Sequence, residues 1–299
     1  MKKTYIRLLT IAFLLTPITV SAQQKLPVVY VAVGDSLAAG QTPNREIDFG
    51  YSDLIAQELS RHLPVAAFTK SLSFPGYTTN DVLQMVRNAD SEEALKHATL
   101  ITISAGANDL LRVIRNNPMA GTLSYQQIQA DSSLNTVRLN MKEILKELNK
   151  RAPEAEVYIM GYYFPYQFVL ESQKSGTAAE LEQLNTILRK EAEEAGVHFV
   201  DVASKFGKDA KSVIPNPADV HPNLEGYRLM ANSFFEVMAN GRMAISPSEM
   251  PKPSPKTFEE LSAQLKQQAD DKTAALTRFP PNLYVVAGEL HQTQKPGFF

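Results

Sequence analysis

The sequence predicts an α/β fold in which a mostly parallel sheet carries helices on both faces. Apolar runs rich in β-branched residues alternate about five times with segments whose apolar residues recur at helical spacing. This alternation is typical of βαβ units, and such units account for roughly residues 26–242. The 299-residue chain has 44% hydrophobic and 21% charged residues, which is the composition of a globular protein.

Five segments have the character of buried strands, because each is a short apolar run bounded by turn residues. In chain order they are 28–34, 65–69, the first part of 99–109, 156–161 and 197–202. The first of them ends abruptly at the tripeptide "GDS", where a turn is expected. A serine at such a turn lies at the carboxyl edge of the sheet, where α/β proteins bind their ligands.

The intervening segments predict helices, since their apolar residues recur every three or four positions. The predicted helices are 51–59, 76–86, 134–148, 181–195 and 224–238. Thr78 and Thr79 are possible N-caps of the second helix. Pro153 ends the third helix, and Gly196 is a C-cap for the fourth.

Residues 1–22 have the pattern of a secretory signal peptide. A short positive segment precedes a largely apolar run over 8–20, and Val20-Ser21-Ala22 fits a small-residue cleavage site. The apolar run is shorter than the roughly 20 residues that span a bilayer. We therefore expect a secreted or extracytoplasmic protein. Removal of three cationic side chains and no anionic one takes the formal net charge from −2 to −5.

Charge and cysteine content exclude several classes of function. No run of Lys and Arg exceeds two residues and the net charge is slightly negative, so no nucleic-acid partner is expected. The chain has no cysteine, which excludes a lipid-modified cysteine at the cleavage site, disulfides, a thiol nucleophile and thiolate metal ligands.

The composition changes after residue 242. Four prolines in 245–257 favour a linker, 258–276 has the pattern of one polar helix, and a short strand follows. We interpret 243–299 as a Pro-rich linker and C-terminal tail, which is too small for a core of its own. Docking on the main domain, disorder and a binding role remain open for this tail.

Polar residues follow separate predicted strands, so the topology brings them to one sheet edge. They are Ser36, Gly76, Asn108, and the pair Asp219 and His221 just before the last predicted helix. A serine needs a base to become a nucleophile, which His221 can supply, and a carboxylate can orient the imidazole. The amides of Ser36 and Gly76 and the side chain of Asn108 are candidate oxyanion donors. Taken singly, Gly76, Asn108 and His221 also fit a turn, a helix cap and a surface loop.

Four blocks carry a family resemblance: "GDSL" at 34–37, Gly76, "GAND" at 106–109 and "DVHP" at 219–222. Over roughly residues 28–240 the chain resembles the SGNH hydrolases, or GDSL-type lipases and esterases, and in particular secreted lysophospholipase-like bacterial members. The resemblance implies a flavodoxin-like, three-layer α/β/α sandwich with a five-stranded parallel sheet. It also implies ester hydrolysis without a metal or other cofactor, with Ser36 as the nucleophile, His221 as the base, and Ser36, Gly76 and Asn108 as the oxyanion hole.

The acid of the predicted triad departs from the family pattern. The family places it three residues before the histidine, where this chain has Ala218, while Asp219 lies only two before. We favour Asp219 as the catalytic acid. Asp201 and a Ser-His dyad are the alternatives.

Two further aspartates invite a metal or acid-base interpretation. Asp35 and Asp109 each follow a predicted strand at a turn. We expect both to make turn and cap hydrogen bonds to backbone amides instead.

The segment "GYYFPYQF" at 161–168 holds five aromatic residues and follows the fourth predicted strand. We expect Tyr163 and Phe164 to line an apolar wall for an acyl chain, although these rings also suit a cover for the sheet edge. The predicted function is a secreted serine ester hydrolase acting on a lipid or other small acyl ester. Alternatives are a carbohydrate O-deacetylase of the cell envelope and a non-catalytic envelope binding protein. Peripheral contact with membrane or cell wall, and the oligomeric state, are left open.

Overall fold

A computed structural model describes residues 27–207, 209–257 and 259–261. The predicted signal peptide and nearly all of the predicted helix and strand after residue 257 lie outside these residues. The seven strands in the described part are β1 (Val28–Gly34), β2 (Val65–Ser73), β3 (Leu100–Ser104), β4 (Arg115–Asn117), β5 (Thr122–Ser124), β6 (Glu156–Met160) and β7 (His198–Val200).

Five of these strands form one parallel sheet in the order β2-β1-β3-β6-β7. The α/β fold with a five-stranded parallel sheet is therefore confirmed. The winding direction reverses between β1 and β3, and α/β proteins bind ligands outside the carboxyl ends of the strands at such a point.

Helices cover both faces of the sheet. They are α1 (Ser36–Ala39), α2 (Tyr51–His62), α3 (Thr79–Arg87), α4 (Glu92–Lys96), α5 (Ala107–Leu111), α6 (Gln127–Arg151), α7 (Glu171–Ala195), α8 (Ala203–Phe206) and α9 (Leu224–Met238). Helices α2 and α9 pack together in one layer, and α3, α6 and α7 pack together in the other. The predicted three-layer arrangement is present.

The core follows the predicted patterns. All five residues of the central strand β3 are buried, because both faces of this strand are covered. On α6 the buried residues repeat at helical spacing: Ala130, Leu134, Val137, Met141, Ile144, Leu145 and Leu148. Helix α6 therefore presents one apolar stripe to the sheet and polar side chains to solvent.

Some element bounds differ from the expectation. Strand β2 continues to Ser73, beyond the predicted end at residue 69, and its register with β1 shifts at two places. The strands β4 and β5 form a separate antiparallel hairpin that the sequence did not predict. Each has only three residues, which is too short to display a periodic apolar pattern.

The Pro-rich segment beyond residue 242 packs against the domain. Ile47 and Lys256 exchange two backbone hydrogen bonds of 2.9 Å, and the N–H of Ser254 donates to the carboxylate of Asp48. The side chain of Arg228 on α9 donates to the carbonyl oxygen of Ile245. Residues of the predicted linker thus contact the main domain, which is one of the possibilities that the sequence left open. Within the described part of the chain, none of the helices has the length and apolar character needed to cross a membrane.

Candidate active site

Ser36 lies in a tight connection between the sheet and a helix. It is the first residue of α1 and follows β1 after a single residue, Asp35. Gly34 has a φ of +146°, and a Cβ atom there would lie 2.2 Å from the carbonyl oxygen of Ser104. Only glycine permits this approach of β1 to β3. The approach allows the N–H of Asp35 to donate to the same carbonyl oxygen at 2.9 Å.

Ser36, His221 and Asp219 form a continuous line of hydrogen bonds. The Nε2 atom of His221 lies 2.7 Å from the Oγ atom of Ser36, and its Nδ1 atom lies 2.6 Å from Oδ1 of Asp219. With the imidazole proton on Nδ1, facing the carboxylate, Nε2 is free to accept the proton of the Ser36 hydroxyl. Ser36 and His221 are 7% and 8% exposed, so this contact is largely shielded from water.

The short spacing between the acid and the histidine is accommodated by a local turn. Oδ1 of Asp219 accepts from both the ring Nδ1 and the backbone N–H of His221, the latter at 2.8 Å. A carboxylate two residues before the amide it binds is the geometry of an Asx turn. The alternative acid, Asp201, is exposed and accepts from the N–H of Ser204 at the start of α8. The carboxylate that contacts the imidazole is therefore that of Asp219.

The surroundings of Asp219 keep it ionised. Burial alone would raise the pKa of this carboxyl group. The hydrogen bonds and charge of His221, with the charge of Arg45, outweigh burial and leave the pKa below its usual range. A charged carboxylate next to Nδ1 stabilises an imidazolium when the ring takes up a second proton.

Of the three predicted oxyanion donors, Ser36 and Asn108 line the cavity and Gly76 does not. Asn108 on α5 lines the cavity beside Ser36, and its Nδ2 atom donates to the carbonyl oxygen of Tyr77 at 2.9 Å. A side-chain amide has two hydrogens, so one remains available. Gly76 lies in the adjoining exposed turn with a φ of +79°, which favours glycine, and is not among the cavity-lining residues. Arg112 donates to its carbonyl oxygen at 3.0 Å.

The chain matches a known protein family over most of its length. The model of the GDSL-like Lipase/Acylhydrolase family matches residues 32–229, about two thirds of the chain. The chain belongs to the GDSL-like lipase/acylhydrolase family. The resemblance carried by the "GDSL", "GAND" and "DVHP" blocks is thereby confirmed.

The GDSL-family chain is also similar to individual proteins. An uncharacterized protein of Bacillus subtilis, YpmR, is 24% identical over 225 residues, which cover 71% of this chain and 81% of YpmR. Among solved structures, the extracellular lipase of Streptomyces rimosus has a TM-score of 0.51 at 20% identity and is matched over 99% of its length by 72% of this chain. The acetylxylan esterase Axe2 of Geobacillus stearothermophilus has a TM-score of 0.50 at 16% identity, with 69% and 92% covered. These likenesses show the fold.

In the GDSL-family chain, Asp35 and Asp109 make hydrogen bonds at helix N-termini. Asp35 caps α1 by accepting from the N–H of Leu37 at 3.0 Å. Asp109 accepts from both the N–H and the hydroxyl of Thr79 at 2.8 Å, which ties α5 to the start of α3. Burial raises the pKa of both carboxyl groups, and their hydrogen bonds offset part of that rise. Asp35 also accepts from two side-chain hydroxyls that the sequence did not predict.

An apolar cavity opens beside the contact between Ser36 and His221. Its walls come from α5, from the segment after β6 and from α7, and its apolar lining includes Leu110, Leu111, Ile114, Pro165, Leu181 and Leu184. The cavity volume is about 60 Å³. One water molecule needs roughly 10–15 Å³ of such space, so the cavity has room for a group of a few non-hydrogen atoms.

The two aromatic residues predicted for the cavity wall have different positions. Tyr163 lines the cavity, stacks on Phe206 at a centroid distance of 4.2 Å, and donates its hydroxyl hydrogen to the carbonyl oxygen of Val220. Phe164 does not line the cavity, and its ring packs edge-on against Tyr166. Phe164 is therefore not part of this cavity wall. In a segment without regular periodicity, adjacent side chains point in directions that sequence spacing does not give.

Sequence reasoning missed most of the cavity wall. Leu181 and Leu184 belong to the helical stripe assigned to the core, and Ile114 precedes the unpredicted hairpin. The apolar stripe of α7 is the sequence signal for these two leucines. It does not distinguish a helix face that packs on a sheet from one that lines a pocket, because both have the same periodicity. Within residues 27–207, 209–257 and 259–261, no group of three or more His, Cys, Asp or Glu side chains is arranged to hold a metal ion.

Proposed function

We propose that this GDSL-family protein is a serine ester hydrolase with Ser36 as the nucleophile, His221 as the general base and Asp219 as the acid that orients the base. The observation that carries the proposal is the line of two short hydrogen bonds through the imidazole, 2.7 Å to Ser36 and 2.6 Å to Asp219. A nucleophile, a base in contact with it and a group that orients the base are the parts that covalent acyl transfer requires.

The reaction follows from these contacts. The Oγ atom of Ser36 forms a bond to the ester carbonyl carbon while its proton moves to Nε2 of His221. Collapse of the tetrahedral intermediate breaks the bond to the alcohol oxygen, which takes the proton from Nε2 as it leaves. A water molecule then attacks the acyl-Ser36 ester with the same proton relay, which releases the carboxylic acid and restores the serine.

The negative oxygen of each tetrahedral intermediate needs donors that are already in place. The amide of Ser36 is suited to this role, because the first N–H groups of a helix have no intrahelical acceptor. The second hydrogen of the Asn108 side chain is the next donor. We assign the third place to the amide of Gly76, whose turn is joined to α5 through Tyr77 and Arg112.

The cavity supports a short acyl group as the part of the substrate held beside Ser36. A volume of about 60 Å³ with an apolar lining fits an acetyl to butyryl group. The small cavity also favours the second candidate, removal of O-acetyl groups from a carbohydrate. Axe2, which shares the fold, is an acetylxylan esterase. Because fold alone does not determine substrate, the size of the cavity is the main support for this candidate.

We further propose that the protein is exported, with residues 1–22 removed. The chain recovered from outside the cytoplasm should begin at Gln23. A recovered chain that begins at Met1 would contradict this.

A series of p-nitrophenyl esters from acetate to dodecanoate, together with an acetylated glycan, tests the proposal. We expect kcat/KM to be highest for the short esters and to fall as the acyl chain exceeds the cavity. The highest rate on the dodecanoate ester would contradict the short-acyl assignment and leave the hydrolase in place. A folded chain with no turnover of any member would instead favour the binding protein.

A further inference from the structure

A chain of buried hydrogen bonds leads from helix α7 to the turn that carries Ser36. Its first link is Asn185, whose side chain accepts from the N–H of Tyr162 and donates to the carbonyl oxygen of the same residue, both at 2.8 Å. Asn185 is 4% exposed and Tyr162 is 3% exposed. Because one side chain holds both polar groups of this backbone, the position of Tyr162 is fixed relative to α7.

The second link is the hydroxyl of Tyr162, which donates to Oδ2 of Asp35 at 2.7 Å. Oδ1 of the same carboxylate accepts from the hydroxyl of Ser104 at 2.8 Å and from the N–H of Leu37 at 3.0 Å. Both oxygens are therefore held, by donors from three parts of the chain: the segment after β6, the end of β3 and the first turn of α1. A carboxylate that is 1% exposed needs such donors, since burial without hydrogen bonds is costly.

Asp35 transmits this constraint to the nucleophile. It is the residue before Ser36 and the N-cap of α1. Its Oδ1 atom accepts from the N–H of Leu37, so a rotation of its side chain would break this cap and loosen the turn from which the Ser36 hydroxyl reaches Nε2 of His221. A displacement of about 1 Å at a reacting group costs about 100-fold in rate.

We propose that Tyr162 is a positioning residue: through Asp35, its hydroxyl holds the turn that keeps Ser36 within reach of His221. This inference rests on the proposed function. Tyr162 is a cavity-lining residue, and its hydroxyl donates to Asp35. Tyr162→Phe consequently removes the link to Asp35 and leaves the wall of the cavity in place.

Tyr158 offers a matched control for this substitution. It lies on β6, four residues before Tyr162, and is 2% exposed. Its hydroxyl donates to Glu156 at 3.0 Å, and it is not a cavity-lining residue. Tyr158→Phe therefore removes the hydroxyl of a buried tyrosine close in sequence to Tyr162, at a position that does not contact the turn at Ser36.

The experiment compares the wild type and both variants on p-nitrophenyl acetate. For Tyr162→Phe we expect kcat to fall about tenfold or more while KM stays within about twofold, because the substrate contacts remain and the nucleophile is less well placed. The rate at which a fluorophosphonate labels Ser36 should fall in parallel. Tyr158→Phe should leave both rates within about twofold of the wild type.

Two results would overturn the role of Tyr162. One is a Tyr162→Phe protein with unchanged kcat and labelling rate, and the other is a rise in KM at constant kcat, which would assign the hydroxyl to substrate binding. If Tyr162→Phe folds poorly, Ser104→Ala removes a donor from the other carboxylate oxygen of Asp35. This variant should likewise lower kcat with little change in KM. A folded wild type that neither hydrolyses esters nor reacts with the probe overturns the proposed function itself. An active wild type with an unimpaired Tyr162→Phe variant overturns only this inference.

Discussion

The Nε2 atom of His221 lies 2.7 Å from the Oγ atom of Ser36, although 185 positions separate the two residues in the chain. The parallel sheet accounts for this proximity. Ser36 follows the carboxyl end of β1, and the loop with His221 precedes α9 at the same edge. Both groups therefore meet at the topological switch point of the sheet, which is where α/β proteins place their sites.

The role of Asp219 is tested by Asp219→Asn. An amide keeps the shape of the side chain but does not stabilise the imidazolium or hold the same tautomer, so we expect kcat to fall by about 10⁴ with little change in KM. Ester hydrolysis at saturating substrate measures this.

Asp201→Asn is the matched control for that measurement. Asp201 is exposed and accepts from the N–H of Ser204 rather than contacting the imidazole, so its replacement should leave kcat unchanged. A large loss in Asp201→Asn and none in Asp219→Asn would reassign the acid. A small loss in both would indicate a Ser-His dyad.

Stability should depend on pH through Asp219. A carboxyl group whose native pKa is lowered stabilises the fold above its unfolded pKa of about 4, and this contribution disappears as the pH falls through the lower native value. At pH 7 we expect Asp219→Asn to reduce the free energy of unfolding by about 2 kcal/mol. Urea unfolding of both proteins should show this difference in the free energy of unfolding narrowing as the pH falls below about 5. If the two free energies of unfolding already converge between pH 7 and pH 5, the stability difference arises from a different ionisable group.

The donor role of Asn108 is tested by Asn108→Ala. Loss of one oxyanion donor lowers kcat by about 10²–10³, and we expect a loss in that range. Asn135→Ala on the exposed side of α6 controls for the substitution and should retain full activity. If Asn108→Ala keeps its kcat and only loses stability, its bond to Tyr77 is the whole of its role.

The size of the cavity is tested by Leu181→Ala on α7. Shortening this wall residue should raise kcat/KM for hexanoate relative to acetate by about tenfold, because each methylene group accommodated in an apolar pocket contributes about 1–3 kcal/mol. Leu139→Ala on α6, at a side chain that is 49% exposed, should leave the ratio unchanged. An unchanged ratio in both variants would place the acyl group elsewhere.

The sequence predicted those parts of the molecule that periodicity and topology control. Alternating strands and helices predict a parallel sheet, and a parallel sheet brings the residues after its strands to one edge. For this reason the sequence alone is enough to group Ser36, Asn108 and His221. The apolar stripe of α6 was predictable for the same reason, since buried helix faces have a fixed period.

Sequence periodicity does not predict side-chain directions in irregular segments or contacts between distant residues. Tyr163 and Phe164 are neighbours in a loop, and only the first lines the cavity. The contact between Tyr162 and Asp35 joins residues 127 positions apart, and no local pattern marks it. The prolines of 245–257 favour a linker but do not tell whether it docks. Lys256 pairs with Ile47, and such docking depends on a partner surface rather than on composition.

Reaction of the folded protein with a fluorophosphonate, followed by mass spectrometry of its peptides, tests the central claim most directly. The contact between Ser36 and His221 predicts one adduct, on the hydroxyl of Ser36, and its absence in His221→Ala and Ser36→Ala. An adduct on another serine, no adduct in a folded sample, or equal labelling of Ser36 after removal of the imidazole would contradict it.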